Sequence, residues 1–303
     1  MFTLTIERGK PMARRIEDYA LIGDFESAAL VARDGSIDWL CWPRFDSGAL
    51  FAALLGSASN GRWTINTADA PAKISRRYRG NTLVLETEFE TEDGIAAVID
   101  FMPVGTEGKS HVVRLVEGRC GTVGMATEFV LRFDYGLIVP WITRIHEEGL
   151  KAIAGPDMVV LRSQVPIEPA GFKHKGTFTI KAGQTIPFVL SYGKSYNSPP
   201  AAIDPTKALK DTEQFWEDWS KSCSGGGPYA EEVLRSLITL KALTFKKTGG
   251  IAAAPTTSLP EEIGGVRNWD YRYCWMPPLP CSPCSIQAFG RKRMHGASGS
   301  IAR

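Results

Sequence analysis

The sequence predicts a mainly β fold, an N-terminal antiparallel sandwich, followed by a shorter helical part. Three observations predict it. Between Gly61 and Ser191 short apolar or alternating runs recur with no helical period between them. Asp-Gly pairs at Asp34-Gly35 and Asp93-Gly94 fall between such runs, where a tight hairpin turn calls for them. From Asp204 onward the apolar spacing changes to three and four residues, the period of a helix.

At 303 residues the chain is long enough for two cores. Its 35 basic and 33 acidic side chains leave a formal charge of +2, which implies neither nucleic acid nor an anionic membrane as partner. No apolar run approaches the ~18 residues of a spanning helix. The start lacks an apolar stretch followed by a small-residue cleavage site, so it does not read as a secretory signal. Six scattered cysteines read as reduced, cytoplasmic thiols. Cys281 and Cys284 form a lone CxxC, which without a second ligand pair predicts no metal. His111, His146 and His174 have no metal-type neighbour at helical or hairpin spacing and read as structural or exposed. No cofactor is expected.

Residues 1–13 read as a disordered extension, with Met12 as an expected true start. The sandwich is expected over 14–200. Its first unit is a strand, a turn at Arg33-Asp34-Gly35-Ser36 and a second strand ending at Trp42. Trp42-Pro43-Arg44-Phe45-Asp46 then sets an aromatic, a guanidinium and a carboxylate close together. Two readings stay open: a structural corner with Trp42 and Phe45 in a core and Arg44 paired to Asp46, or a wall of a ligand site built with the neighbouring domain. Strands are expected at Arg62–Ile65, Thr82–Phe89, Ala97–Phe101, Val112–Val116, Thr127–Phe133, Leu150–Ala154, Met158–Arg162, Gly176–Ile180 and Thr185–Ser191. Arg132-Phe133-Asp134-Tyr135-Gly136 with Pro140-Trp141 reads as a packing corner. Asn197-Ser198-Pro199-Pro200 ends the sandwich.

An interdomain helix and linker follow over 201–227. Leu209, Thr212, Phe215, Trp216 and Trp219 share one face of that helix, and Cys223–Gly227 is a flexible joint. Tyr229–Phe245 is a second helix, with Val233, Leu234, Leu237, Ile238, Leu240 and Leu243 largely on one side. Thr248-Gly249-Gly250 stops it, and Pro255 and Pro260 keep the next stretch a loop. That loop delivers Arg267-Asn268-Trp269-Asp270-Tyr271-Arg272-Tyr273-Cys274-Trp275, in which four aromatics, two Arg and one Asp fall within nine residues. Such density suits a concave polar site, where flat rings stack on a ligand and charged groups hydrogen-bond it. Sugars present that mixture of apolar ring face and hydroxyl rim.

The runs TLKALTF, TGGIAAAPTTSLPEEIGG and VRNWDYRYCW together resemble glycoside hydrolase family 15, in its bacterial glucoamylase-like and trehalase-like branch. Ile16–Gly56 is similar to that branch's N-terminal trehalase-like domain, and the resemblance extends from about Arg14 to Trp275. It implies a β-sandwich without chemistry of its own, then the truncated start of an (α/α)6 barrel over 228–275. It implies hydrolysis of α-glucosidic bonds with inversion, by an acid and a base both contributed by Glu. Those carboxylates lie in the family beyond the segment matched here, so no catalytic residue is carried over. Glu261 and Glu262 are adjacent on a Pro-bounded loop and are poorly placed to serve as that pair. By match to the motif, Tyr271 and Trp275 are sugar-stacking residues and Asp270 and Arg267 hydrogen-bonding support, with Trp42 and Arg44 as further candidates for substrate contact. The implied partner is an α-glucoside, either a small sugar or a glucan. The alternative is a non-catalytic carbohydrate-binding or scaffold protein.

Residues 276–303 carry four prolines between Pro277 and Pro283, no acidic group and no periodicity, which predicts a disordered tail. The family has Arg, Asp and Ala at this point. Trp and Met each have one codon, so the frame that starts on the last base of the Trp275 codon reads Asp and then Ala. The tail is therefore expected to be an out-of-frame translation. With one helix and a loop left uncovered, folded structure is expected to give way to aggregation or proteolysis beyond about residue 200.

Overall fold

The structure, a computed structural model, describes residues 15–105, 109–145, 149–223 and 227–256, with the backbone of Tyr273 and Cys274. The extension at 1–13, most of the aromatic cluster and the tail at 276–303 lie outside the described residues, as do Glu261, Glu262, His146 and the CxxC.

The strands, in chain order, are β1 (Tyr19–Gly23), β2 (Ala28–Ala32), β3 (Ser36–Cys41), β4 (Ala49–Phe51), β5 (Arg62–Thr67), β6 (Lys73–Tyr78), β7 (Leu85–Thr91), β8 (Gly94–Phe101) and β9 (His111–Val130). They continue as β10 (Trp141–Ile145), β11 (Gly149–Ala154), β12 (Asp157–Ser163), β13 (Glu168–Ala170), β14 (Lys173–Lys181) and β15 (Thr185–Lys194). Two helices follow, α1 (Pro205–Lys221) and α2 (Ala230–Ala242), and a short pair, β16 (Ile251–Ala252) with β17 (Tyr273–Cys274). The fold is a sandwich of antiparallel sheets.

One strand belongs to both sheets. Residues 111–121 of β9 pair with β8 and β15, and residues 122–130 pair with β5 and β14. One sheet runs β1-β2-β3-β5-β9-β14-β13 with β4 on β3, and the other runs β6-β7-β8-β9-β15-β12-β11-β10. The expectation of two strands, at Val112–Val116 and Thr127–Phe133, is corrected here. The polar stretch Glu117-Gly118-Arg119-Cys120-Gly121-Thr122 looks like a loop because it carries no apolar alternation, yet it is the crossing between the sheets. At the crossing Gly121 has φ +63°, and a Cβ there would lie 2.0 Å from the Asp93 carbonyl oxygen, so only glycine fits.

The inner faces meet in one core. Ile22, Ile37, Trp63, Met125 and Phe129 from one sheet pack on Phe89, Val98, Val112, Leu161 and Phe188 from the other. Trp63 stands edge-on to Phe188, with centroids 6.4 Å apart. Among these side chains lies a fully buried ion pair. Arg114 Nε donates to Asp100 Oδ1 at 2.7 Å, across β9 and β8. Its Nη1 and Nη2 donate to the carbonyls of Trp63 (2.8 Å) and Gly35 (2.6 Å), both on the opposite sheet. The guanidinium also lies over the Trp63 ring, 5.0 Å from its centroid. A charge so far from water is tolerable because its donors are met on both sides. Gly35, at φ +77°, turns β2 into β3 and presents that carbonyl; a Cβ there would meet Ile65 O at 2.3 Å.

The outer face of the second sheet is covered by α1. Val84, Ile99, Phe101, Leu115 and Val189 bury Leu209. Asp204 caps α1, accepting from the amides of Thr206 and Lys207, and Pro205 opens its first turn. Trp216 and Ile238 are both fully buried, packed with Phe25, Leu83 and Ala242. Beyond residue 200, where aggregation or proteolysis is expected from the sequence, α1, α2 and the chain as far as Ala252 bury apolar side chains against the sandwich. The sequence shows that these helices are amphipathic but not which surface receives them.

Candidate functional site

Two features of the described residues bear on the predicted site: the corner at Trp42–Arg44, and the place where the chain enters and leaves the aromatic cluster.

The corner turns on Asp24. After β1 the chain bends back through an Asx turn, in which Asp24 Oδ1 accepts from the amides of Glu26 (3.0 Å) and Ser27 (2.9 Å). Its other oxygen accepts from the Ser110 hydroxyl, and Ser110 Oγ in turn accepts the Trp42 indole N–H at 2.6 Å. Burial pushes the Asp24 carboxyl up from 3.8 to about 6, against the pull of those donors. Trp42 and Phe45 are both buried, and the Trp42–Pro43 peptide is cis. The Trp42 ring packs on Tyr192 at 5.9 Å. Arg44 Nε donates to Asp46 Oδ1 at 2.7 Å, and its guanidinium sits 5.3 Å from the centroid of Phe245, just past α2.

A cavity of about 250 Å³ opens beside this corner, bounded by Asp24, Glu26 and Arg44 with Lys194, Lys246 and Lys247. Its charges are largely matched in pairs. Lys194 Nζ is 2.8 Å from Asp157, and Lys247 is 3.8 Å from Glu26. Tyr192 donates its hydroxyl to Asp157, and burial with that carboxylate pushes its phenol up to about 12. Trp42 is turned inward, Phe45 is in the core and Arg44 is held by Asp46. Only Pro43 and Arg44 of the corner face the cavity.

The second feature is the frame of the predicted substrate loop. After α2 the chain turns back on itself, with Phe245 N–H donating to Gly250 O at 2.8 Å and Ala252 N–H to Leu243 O at 2.8 Å. Lys246 N–H donates to Phe25 O at 2.9 Å, tying this turn to the sandwich. The Trp39 indole then donates to Pro255 O at 2.9 Å. On the far side of the loop, Tyr273 pairs with Ala252 and Cys274 with Ile251. Arg267, Asp270, Tyr271 and Trp275 lie outside the described residues. Sequence reasoning missed the Asp24–Ser110–Trp42 chain and the Trp39–Pro255 bond, because both join residues far apart in the chain and leave no local pattern. Among the described residues no three His, Cys, Asp or Glu side chains converge as metal ligands, and no helix is long and apolar enough to cross a membrane.

Residues 8–216 match the family described as trehalase-like, N-terminal. This chain is a member of the trehalase-like family. Its residues 227–277 match a second model, glycosyl hydrolases family 15, so the sandwich and the start of the glycosidase domain follow in the order the sequence motifs imply. A trehalase of Thermoplasma volcanium is 32% identical over 268 residues, covering 86% of this chain and 43% of the relative. A trehalase of Mycolicibacterium smegmatis is 30% identical over 287 residues, covering 86% of this chain and 43% of the relative. This family member thus spans less than half the length of those curated relatives. Among solved structures, a putative kojibiose phosphorylase from human microbiome aligns over 78% of this chain and 41% of its own, with 12% identity and a TM-score of 0.44.

Proposed function

We propose that the chain supplies the sandwich and substrate loop of an inverting glycosidase that acts on trehalose, with maltose and longer α-glucans as competing substrates. The observation that carries this is the order of the two family matches, 8–216 and then 227–277, on a chain 32% identical to a trehalase. In this reading α2 is the first helix of an (α/α)6 barrel. Its second apolar stripe supports that assignment: Tyr229, Val233 and Leu240 recur at helical spacing and are 69%, 47% and 38% exposed.

Tyr271 and Trp275 are assigned to stack on the sugar, with Asp270 and Arg267 hydrogen-bonding its hydroxyls. Trp42 and Arg44 support the site from the sandwich, Trp42 through Ser110 and Arg44 through Phe245. The acid and base of the family are not assigned to any residue here. The chain is taken to bind an α-glucoside, and its scattered cysteines favour the cytoplasm.

Calorimetric titration of the purified chain with trehalose, maltose and a longer α-glucan tests both parts. Saturable binding of trehalose, tighter than that of maltose or the longer glucan, is expected. Tighter binding of maltose or the glucan would overturn the assignment to trehalose. Absence of binding to all three sugars would overturn the substrate-loop assignment.

A further inference from the structure

Four large apolar side chains stand in the open within five residues: Leu137 is 81% exposed, Ile138 45%, Val139 52% and Trp141 76%. Contiguous apolar surface of this kind marks a place where something else is seated. The support beneath it is rigid. Asp134 and Tyr135 hold left-handed backbone, φ 50° and 59°, which costs non-glycine residues roughly 1–3 kcal/mol each and persists only where neighbours enforce it. Two neighbours hold it: Asn60 Nδ2 donates to Tyr135 O at 3.3 Å, and the Tyr135 ring lies 6.1 Å from that of Trp39.

Trp39 is also the residue whose indole holds Pro255 O. The chain thus reaches the Tyr135 end of the sandwich just before residue 257. It is held again at Tyr273 and Cys274, which pair with Ala252 and Ile251. Residues 257–272 leave and return at one corner of the molecule. With about eight residues out and eight back, at ~3.3 Å each, they can extend ~26 Å from it. Leu137 is two residues beyond Tyr135, well within that span. The segment carries its own apolar groups, among them Leu259, Ile263, Val266 and Trp269.

We propose that the apolar surface from Leu137 to Trp141 is the seat of residues 257–272 of the same chain. The sandwich then does more than precede the glycosidase segment: it sets where the aromatic cluster stands. This does not depend on which sugar is bound, nor on whether any is.

The test uses the full chain with p-benzoylphenylalanine in place of Leu137 and, separately, of Val139. Both positions are exposed, so neither change disturbs the core. After irradiation and trypsin digestion, adducts within the same chain to the peptides 248–267 or 268–272 are expected. Adducts only between two copies, adducts only to other parts of the sandwich, or no adduct from either position would overturn the proposal. As a second measurement, Val139→Asp should speed tryptic cleavage after Arg267 about tenfold, because a carboxylate in an apolar seat is costly to cover and so unseats the segment. Equal rates in the two proteins would overturn it as well.

Discussion

The rings of Phe25 and Trp216 meet with centroids 5.4 Å apart and planes tilted by 53°. Phe25 sits at φ +69°, in the left-handed region, and also contacts Phe215 at 5.5 Å while Lys241 lies over its face at 5.2 Å. Its carbonyl accepts the Lys246 amide. One residue of the sandwich therefore touches α1, α2 and the turn that follows α2.

Phe25→Ala should destabilise the chain by about 3–5 kcal/mol, the usual cost of deleting a buried ring. Phe25→Gly loses the same ring but relieves the left-handed backbone, so it should be the more stable of the two by about 1 kcal/mol. Urea unfolding of both variants beside the wild type measures the difference. Equal stability of the two would mean that the φ at this position carries no strain.

Arg114→Leu should cost about 3–5 kcal/mol, because Asp100 and the carbonyls of Trp63 and Gly35 lose their donors inside the core. Asp100→Leu combined with Arg114→Leu should recover only part of that loss, since the two carbonyls stay unpaired. Chemical denaturation of the single and double variants gives the coupling.

Two buried groups give opposite pH dependences in nearly the same window. Asp24 is raised from 3.8 to about 6, so between these values the folded chain holds a proton the unfolded chain has released, and stability falls as pH rises. His111 is lowered from 6.5 to about 4 by burial, with Lys109 and Arg162 adding to the effect. Its Nδ1 meets Ser191 Oγ at 2.8 Å, and its Nε2 has no partner among the described residues. Between pH 4 and 6.5 the unfolded chain holds the extra proton there, and stability rises with pH. The two slopes should largely cancel in the wild type. Asp24→Asn should leave a net rise from pH 4 to 6.5, and His111→Gln a net fall from about pH 4 to 6, each on the order of 2–3 kcal/mol. Unfolding midpoints at pH 4, 5, 6 and 7 check both signs.

If the aromatic cluster binds the sugar, Tyr271→Ala should weaken trehalose binding about tenfold, roughly the worth of one stacked ring. Arg44→Ala should weaken it less, because Arg44 is held by Asp46 and lies over Phe245. Titration calorimetry on the two variants ranks them.

Much of the sandwich was legible in the sequence from short apolar or alternating runs between turn signals. Alternation marks β5 and β14, unbroken apolar runs mark the wholly buried β2 and the largely buried β8, and Asp-Gly marks the turns at Gly35 and Gly94. What escaped were strands whose pattern is set by other things. β6 is Lys73-Ile74-Ser75-Arg76-Arg77-Tyr78, rich in charge because it is an edge strand whose side chains are exposed or half-buried. β9 escaped at its crossing, where polar residues and glycines are required by geometry and not by solvent. Both helices were legible from their period. The corner at Trp42 could be described from sequence only as one of two alternatives. The partner of the Trp42 indole, Ser110, lies 68 residues away and leaves no local pattern.

The crossing strand has a mechanical consequence. Because β9 carries hydrogen bonds for both layers, neither layer can peel away while the other stays intact without tearing that strand from partners on both flanks. Force or heat applied to either face is thus shared with the other, and the turn that ties Lys246 to Phe25 anchors the glycosidase segment to a body that yields all at once.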